Sequence, residues 1–201
     1  MIRIAMIGAG SVVFERNLLA DILGLEALRD CAIALHDIDP ERLDTAALMA
    51  SRVAAQLGAA PSITAHADRR AALEGADFVI NMVQIGMHAA TLLDFDIPRR
   101  YGLKQTIADT VGIGGIFRGL RTIPFMQAMV REMRAVCPDA LLLNYTNPMS
   151  SLTWSVYDAF PAQRVVGLCH NVQYTALALA EYLGVAPERL SYDCAGINHM
   201  T

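Results

Sequence analysis

The sequence predicts an α/β chain on a doubly wound parallel sheet, and three observations carry that reading. Apolar strand-like runs alternate with helical patterns along most of the 201 residues. The first run, residues 2–7, ends in the turn Gly8-Ala9-Gly10-Ser11 and leads straight into a helical pattern. The second, residues 31–36, stops at Asp37 just before a new helix start.

Each element follows in order. A helix over 12–23 stands behind the glycine turn. After strand 31–36, Asp39-Pro40-Glu41 supplies an N-cap, a proline at the first helical position and an early acid, opening a helix that runs to about residue 57. Residues 62–65 read as a weak third strand and 77–83 as a strong fourth. Between Gln84 and Gly115 the alternation breaks, and Gly112, Gly114 and Gly115 crowd a loop before a helix over 116–136. Residues 140–143 form a fifth strand that ends in Asn144-Tyr145-Thr146-Asn147-Pro148. A helix over 149–160, a sixth strand over 164–168, a helix over 171–183 and a last strand over 190–195 complete the chain. There is no internal repeat, linker or low-complexity tract.

Composition narrows the class. The chain is long enough for one domain with a full core. Hydrophobic residues make up 54%, an excess that predicts apolar surface covered by a partner or by further chain. The net charge of −4 comes from scattered acids and bases, with no basic stripe for nucleic acid or anionic membrane. No apolar run approaches membrane-spanning length, and no cleavage site follows Met1-Ile2-Arg3. The expectation is a soluble, cytoplasmic protein. Cys31, Cys137, Cys169 and Cys194 form no CxxC pair and are expected to be reduced.

The glycine turn sits where a dinucleotide-binding loop belongs, between a strand and a helix. Gly8 permits the tight turn, Gly10 lets the backbone approach a pyrophosphate, and Ser11 opens the helix whose N-terminus would receive it. Val13 stands where the fingerprint has its third glycine. Asp37 offers a carboxylate to a ribose diol and would repel a 2′-phosphate, so NAD is expected over NADP. Residues 1–145 are accordingly read as a Rossmann-like, NAD-binding domain of lactate/malate dehydrogenase type, and residues 146–201 as the start of a catalytic, substrate- and metal-binding region.

Two further residues suggest a metal. Cys169 follows the sixth strand at the sheet edge where such folds place ligands, and His199 lies on a separate segment. Thiolate and imidazole together suit a divalent transition metal, and two protein ligands leave coordination positions open for substrate oxygens. A buried free cysteine with hydrogen-bonded histidines explains the same residues, since the spacing fits no zinc-finger or HExxH pattern.

Seven motifs occur in order: Gly8-Ala9-Gly10-Ser11-Val12-Val13-Phe14, His36-Asp37-Ile38-Asp39-Pro40-Glu41-Arg42-Leu43, Gln105-Thr106-Ile107-Ala108-Asp109-Thr110, Gly114-Gly115-Ile116-Phe117-Arg118, Asn144-Tyr145-Thr146-Asn147-Pro148-Met149, Gly167-Leu168-Cys169-His170-Asn171-Val172-Gln173 and Gly196-Ile197-Asn198-His199-Met200. Together they resemble glycoside hydrolase family 4, the NAD- and Mn²⁺-dependent glycosidases, and most closely its α-galactosidase branch. The resemblance implies hydrolysis by transient oxidation at sugar C3, deprotonation at C2 and elimination of the glycosidic oxygen, followed by water addition and reduction. It implies Cys169 and His199 as metal ligands, His170 as the leaving-group acid and Asp109 as an acid beside the catalytic base. Asn147 matches the substrate-binding asparagine, with Asn144 and Asn198 as further substrate contacts. Arg118 is either a substrate or cofactor contact or a helix-surface arginine. The family's C2-proton base lies beyond Thr201, so the chain is expected to be an incomplete portion of a cytoplasmic homo-oligomer, a dimer or tetramer, that acts on a small-molecule α-glycoside.

The resemblance leaves the sugar open. Asn171 stands where the α-galactosidase branch has serine, the α-glucosidase branch glutamate and the uronidase branches glycine. Phospho-glycosidase branches carry Cys-Asn or Cys-Asp instead of Cys169-His170, and Gln84-Ile85-Gly86-Met87-His88 lacks an arginine to grip a sugar phosphate. An α-glucosidase or α-galacturonidase, a lactate/malate-type dehydrogenase and an inactive NAD-binding fragment are the alternatives.

Overall fold

A computed structural model describes residues 1–108, 110 and 112–195. Among them, six parallel strands form one sheet in the order β3-β2-β1-β4-β5-β6. These are β1 (Arg3–Ile7), β2 (Ala32–His36), β3 (Ser62–His66), β4 (Phe78–Asn81), β5 (Leu141–Asn144) and β6 (Val165–Gly167). The order reverses between β1 and β4, so a crevice opens there at the carboxyl ends of the strands. Seven helices connect them: α1 (Val12–Gly24), α2 (Pro40–Leu57), α3 (Arg69–Leu73), α4 (Met87–Arg100), α5 (Gly112–Val136), α6 (Met149–Ala159) and α7 (Asn171–Leu183).

Strand alternation divides the core into two layers. Ala5 and Ile7 of β1 join Val79, Leu142 and the Met126, Met129 and Met133 row of α5 on one face. Ile4 and Met6 face the other way, onto Leu19 and Leu23 of α1 and Leu43, Ala46 and Ala50 of α2. Sheet and helices therefore sit as expected, with helices on both faces. β6, from the second of the two expected segments, continues the same sheet through the pair Asn144↔Gly167. No helix among the described residues is long and apolar enough to cross a membrane.

Local chemistry explains the boundaries that were read correctly. Asp39 caps α2 by accepting from the Glu41 and Arg42 amides at 3.0 and 3.2 Å. Gly58 ends the helix with φ +62°, the left-handed conformation glycine adopts without strain.

Three expectations are corrected, and one helix was not anticipated. The segment 84–115 is not irregular throughout but carries α4, hidden because its buried face holds Asp94 and its last turn holds Pro98. The helix expected from 116 begins at Gly112, because the first turn packs too closely for side chains. A Cβ on Gly114 would lie 2.6 Å from the Ala108 Cβ, and one on Gly115 2.6 Å from the Thr110 carbonyl. α3, a single capped turn after Asp68, was not anticipated. Residues 190–195 form no strand: they pair with no neighbour among the described residues and are mostly exposed, and an alternating pattern without a ladder partner stays irregular.

Candidate active site

A cleft of about 620 Å³ occupies the crevice and is lined by Gly8, Gly10, Asp37, Arg42, Val83 and Gly86 among others. Both loop glycines are sterically required. Gly8 has φ +86°, and a Cβ there would meet Val83 Cγ2 at 3.0 Å. A Cβ on Gly10 would come within 2.5 Å of Asp37 Oδ2 and 2.8 Å of Arg42 Cβ. Ser11 at the N-cap of α1 makes no side-chain capping bond, and a helix N-terminus of this kind favours an anion.

Asp37 and Arg42 hold Gly10 from two sides. Asp37 Oδ2 accepts from the Gly10 amide at 2.8 Å, and its Oδ1 accepts from the Asp39 amide at 3.0 Å. A carboxylate has about four acceptor sites, so capacity remains for a ribose diol. Arg42 donates from Nε and Nη2 to the Gly10 carbonyl at 3.2 and 2.9 Å.

A second cavity of about 180 Å³ shares Ser11, Val83 and Gln84 with the first and extends to Arg118, Tyr145 and Asn147. Its wall rests on a buried polar network. Asn81 Nδ2 donates to Asn144 Oδ1 at 2.9 Å and to Thr146 Oγ1 at 3.2 Å. Asn144 Nδ2 donates to the Thr146 carbonyl at 3.0 Å, and Thr146 Oγ1 to the Val83 carbonyl at 3.0 Å. The ends of β4 and β5 are thereby fixed to each other. Asn147 lies just beyond, in a cis peptide bond with Pro148, and its carbonyl accepts from Arg118 Nε at 3.1 Å.

The loop between β4 and α4 forms the opposite rim. Arg121 of α5 makes a bidentate pair with the buried carboxylate of Asp94, at 3.0 and 2.6 Å, and its Nε reaches the Ile85 carbonyl at 3.4 Å. Met87 follows with φ +51°, an uncommon conformation for a side-chain-bearing residue.

Cys169 is half-buried in the segment that leaves β6, where the Leu168 amide donates to the Asn144 carbonyl at 2.9 Å. The Cys169-His170 segment thus departs beside the strand that leads to Asn147. His170 is exposed at the N-cap position of α7, edge-on to the Tyr174 ring at 5.2 Å. Among the described residues no three His, Cys, Asp or Glu side chains gather as a metal site. Asp109, Asn198 and His199, expected as site residues, lie outside the described residues.

Several contributors were not anticipated as such. Asn81 had a signal, an amide closing an apolar strand run; Arg42 was noted only within its motif. Asp94 and Arg121 had none, since their pairing requires α4. Glu15 of α1 is fully buried with neither carboxylate oxygen hydrogen-bonded, and desolvation pushes its carboxyl up to about 8.

Comparison with known proteins gives the arrangement a context. The sequence profile of family 4 glycosyl hydrolases matches residues 3–185. An α-galactosidase of Bacillus subtilis is 46% identical over all of this chain, which covers 46% of that protein. An α-glucosidase of Erwinia rhapontici is 36% identical over 99% of this chain and 44% of its own length. The 6-phospho-β-glucosidase of Thermotoga maritima, solved with manganese, NAD⁺ and glucose-6-phosphate, superposes with a TM-score of 0.79 at 26% identity, covering 94% of this chain and 44% of that one. The chain spans less than half the length of each of these proteins.

Proposed function

The chain belongs to glycosyl hydrolase family 4, and from that membership we propose that it is the dinucleotide-binding portion of an NAD- and Mn²⁺-dependent α-glycosidase acting on unphosphorylated α-galactosides. The observation that carries this reading is that two cavities share Ser11, Val83 and Gln84 in their walls, one reaching Gly10 and Asp37 and the other Asn147. A dinucleotide laid across the glycine loop would bring its reactive end to a pocket that an oligosaccharide hydroxyl can enter. The higher identity to an α-galactosidase than to an α-glucosidase supports galactose as the sugar.

The residues fit both groups chemically. The diol capacity of Asp37 and the Cβ-free approach at Gly10 suit the adenosine ribose and pyrophosphate, and the Cys169 thiolate with His199 suits a divalent transition metal. When bound, nicotinamide takes up and returns the sugar's C3 hydride, while the cation polarises the transient C3 carbonyl. The chain's own residues do the rest. Asn147 holds sugar hydroxyls, since an amide both donates and accepts. His170 passes a proton to the oxygen departing from C1, a task imidazole performs well near neutral pH. Asp109 assists the base that removes the C2 proton. Asn144, whose amide is committed to Asn81 and Thr146, acts by positioning the Asn147 segment rather than by touching sugar. Residues 146–201 begin the substrate- and metal-binding region.

The test is hydrolysis of an aryl α-galactoside by the intact protein in D₂O with NAD⁺, Mn²⁺ and a reductant. Deuterium at C2 of the released sugar is expected. Sugar released without that label would sink the mechanism, and NADH accumulating without sugar release would point to a dehydrogenase.

A further inference from the structure

We propose that Arg42 is a preformed receptor for a ribose 2′-phosphate, and that the Asp37 carboxylate alone keeps the cleft selective for a dinucleotide with a free 2′-hydroxyl. The inference rests on the dinucleotide reading of the cleft and is independent of the glycosidase chemistry.

Position comes first. Asp37 and Arg42 flank the same residue, Gly10, one on its amide and one on its carbonyl. A Cβ on Gly10 would lie 2.5 Å from the Asp37 carboxylate and 2.8 Å from the Arg42 stem. A ribose whose diol reaches Asp37 would therefore lie close to Arg42 as well. In dinucleotide folds an acid at this strand end selects the 2′-hydroxyl, whereas a nearby arginine accommodates the 2′-phosphate. This cleft holds both.

Donor capacity comes next. A guanidinium has five N–H donors in a fixed fork. Nε and Nη2 converge on the Gly10 carbonyl, which anchors the side chain and aims its outer edge into the cleft. Among the described residues that edge meets the Met87 sulfur, 3.9 Å from Nη1, a weak acceptor on an exposed side chain that can swing aside. Among the described residues no carboxylate lies within 4 Å of the Arg42 guanidinium, so it is in no ion pair. Asp39, the nearest acid along the chain, accepts from the first amides of α2. A half-buried, anchored guanidinium outside any ion pair can bind phosphate in bidentate fashion. What opposes a 2′-phosphate is like-charge repulsion from Asp37, held in place by two amides.

The test needs no turnover. NADH and NADPH are titrated by nicotinamide fluorescence against the intact wild-type protein, Asp37→Asn, Arg42→Met and the double variant. The readout is the ratio of the two dissociation constants, which cancels damage to the loop common to both ligands. Wild type is expected to favour NADH by about 100-fold, a scale set by juxtaposed like charges. Asp37→Asn should bring the ratio to parity or below by tightening NADPH, and Arg42→Met in that background should restore it by about tenfold or more. The proposal is overturned if Asp37→Asn leaves the ratio unchanged, or if the double variant keeps the Asp37→Asn ratio. Wild type binding neither nucleotide would overturn the dinucleotide reading itself, an outcome distinct from both.

Discussion

Replacing Glu15 with glutamine should make the protein more stable at neutral pH and flatten its pH dependence. Glu15 is 0% exposed, and burial raises its carboxyl from 4.5 to about 8. The sign follows from proton linkage. Between those two values the unfolded chain has released the proton and the folded chain retains it, so unfolding is favoured as pH rises. The stability contributed by this group is fully present below pH 4.5 and is lost until the folded group ionises near 8. At about 1.4 kcal/mol per pKa unit, the shift amounts to about 5 kcal/mol across the window and about 3 kcal/mol by pH 7. That is a large fraction of a typical domain's stability, about 5–15 kcal/mol. Glutamine keeps the shape and cannot ionise. Urea unfolding of both proteins, followed by circular dichroism at pH 5, 6, 7 and 8, should show the variant gaining about 1 kcal/mol or more per pH unit. Parallel profiles, with a difference constant across that range, would refute the desolvated carboxyl.

Three other outcomes follow from the geometry. Gly10→Ala places a methyl against Asp37 and Arg42 and should weaken NADH binding by about 100-fold while costing about 1–3 kcal/mol of stability, checked by fluorescence titration and urea unfolding. Arg121→Met strands the buried Asp94 carboxylate, whereas Asp94→Ala leaves a partly exposed arginine. Thermal melts should therefore show the larger loss for Arg121→Met, about 3–5 kcal/mol. If His170 is the leaving-group acid, His170→Asn should slow hydrolysis of a methyl α-galactoside by about 10²–10⁴. A nitrophenyl galactoside, whose leaving group needs no proton, should be nearly spared; equal loss on both substrates would remove His170 from that role.

How much of this was visible in the residues depended on how local the cause was. The α2 boundaries were legible because Asp39, Pro40 and Gly58 act within their own turns. The glycine loop and Asp37 were legible as a spacing, although the reciprocal hold on Gly10 was not, since it needs Arg42 folded back from the next helix. α4 was hidden because Asp94 interrupts its buried face, and its ion-pair partner Arg121 lies 27 residues away. Asn144 was expected as a substrate contact from the family resemblance alone, and its buried bridge to Asn81 has no local signal because the partner lies on another strand. Glu15 broke the apolar stripe of α1 without any local sign that it would be wholly buried.

The two-sided hold on Gly10 also bears on how fast a nucleotide can associate. Flexible phosphate loops must become ordered as the ligand arrives, at a cost of about 1–2 kcal/mol for each residue fixed. Here the loop's central residue is restrained by Asp37, just past β2, and by Arg42 of α2, so that entropy is lost during folding and not at the encounter. The cleft should receive its nucleotide as a rigid template, with an on-rate set by diffusion and charge instead of loop closure.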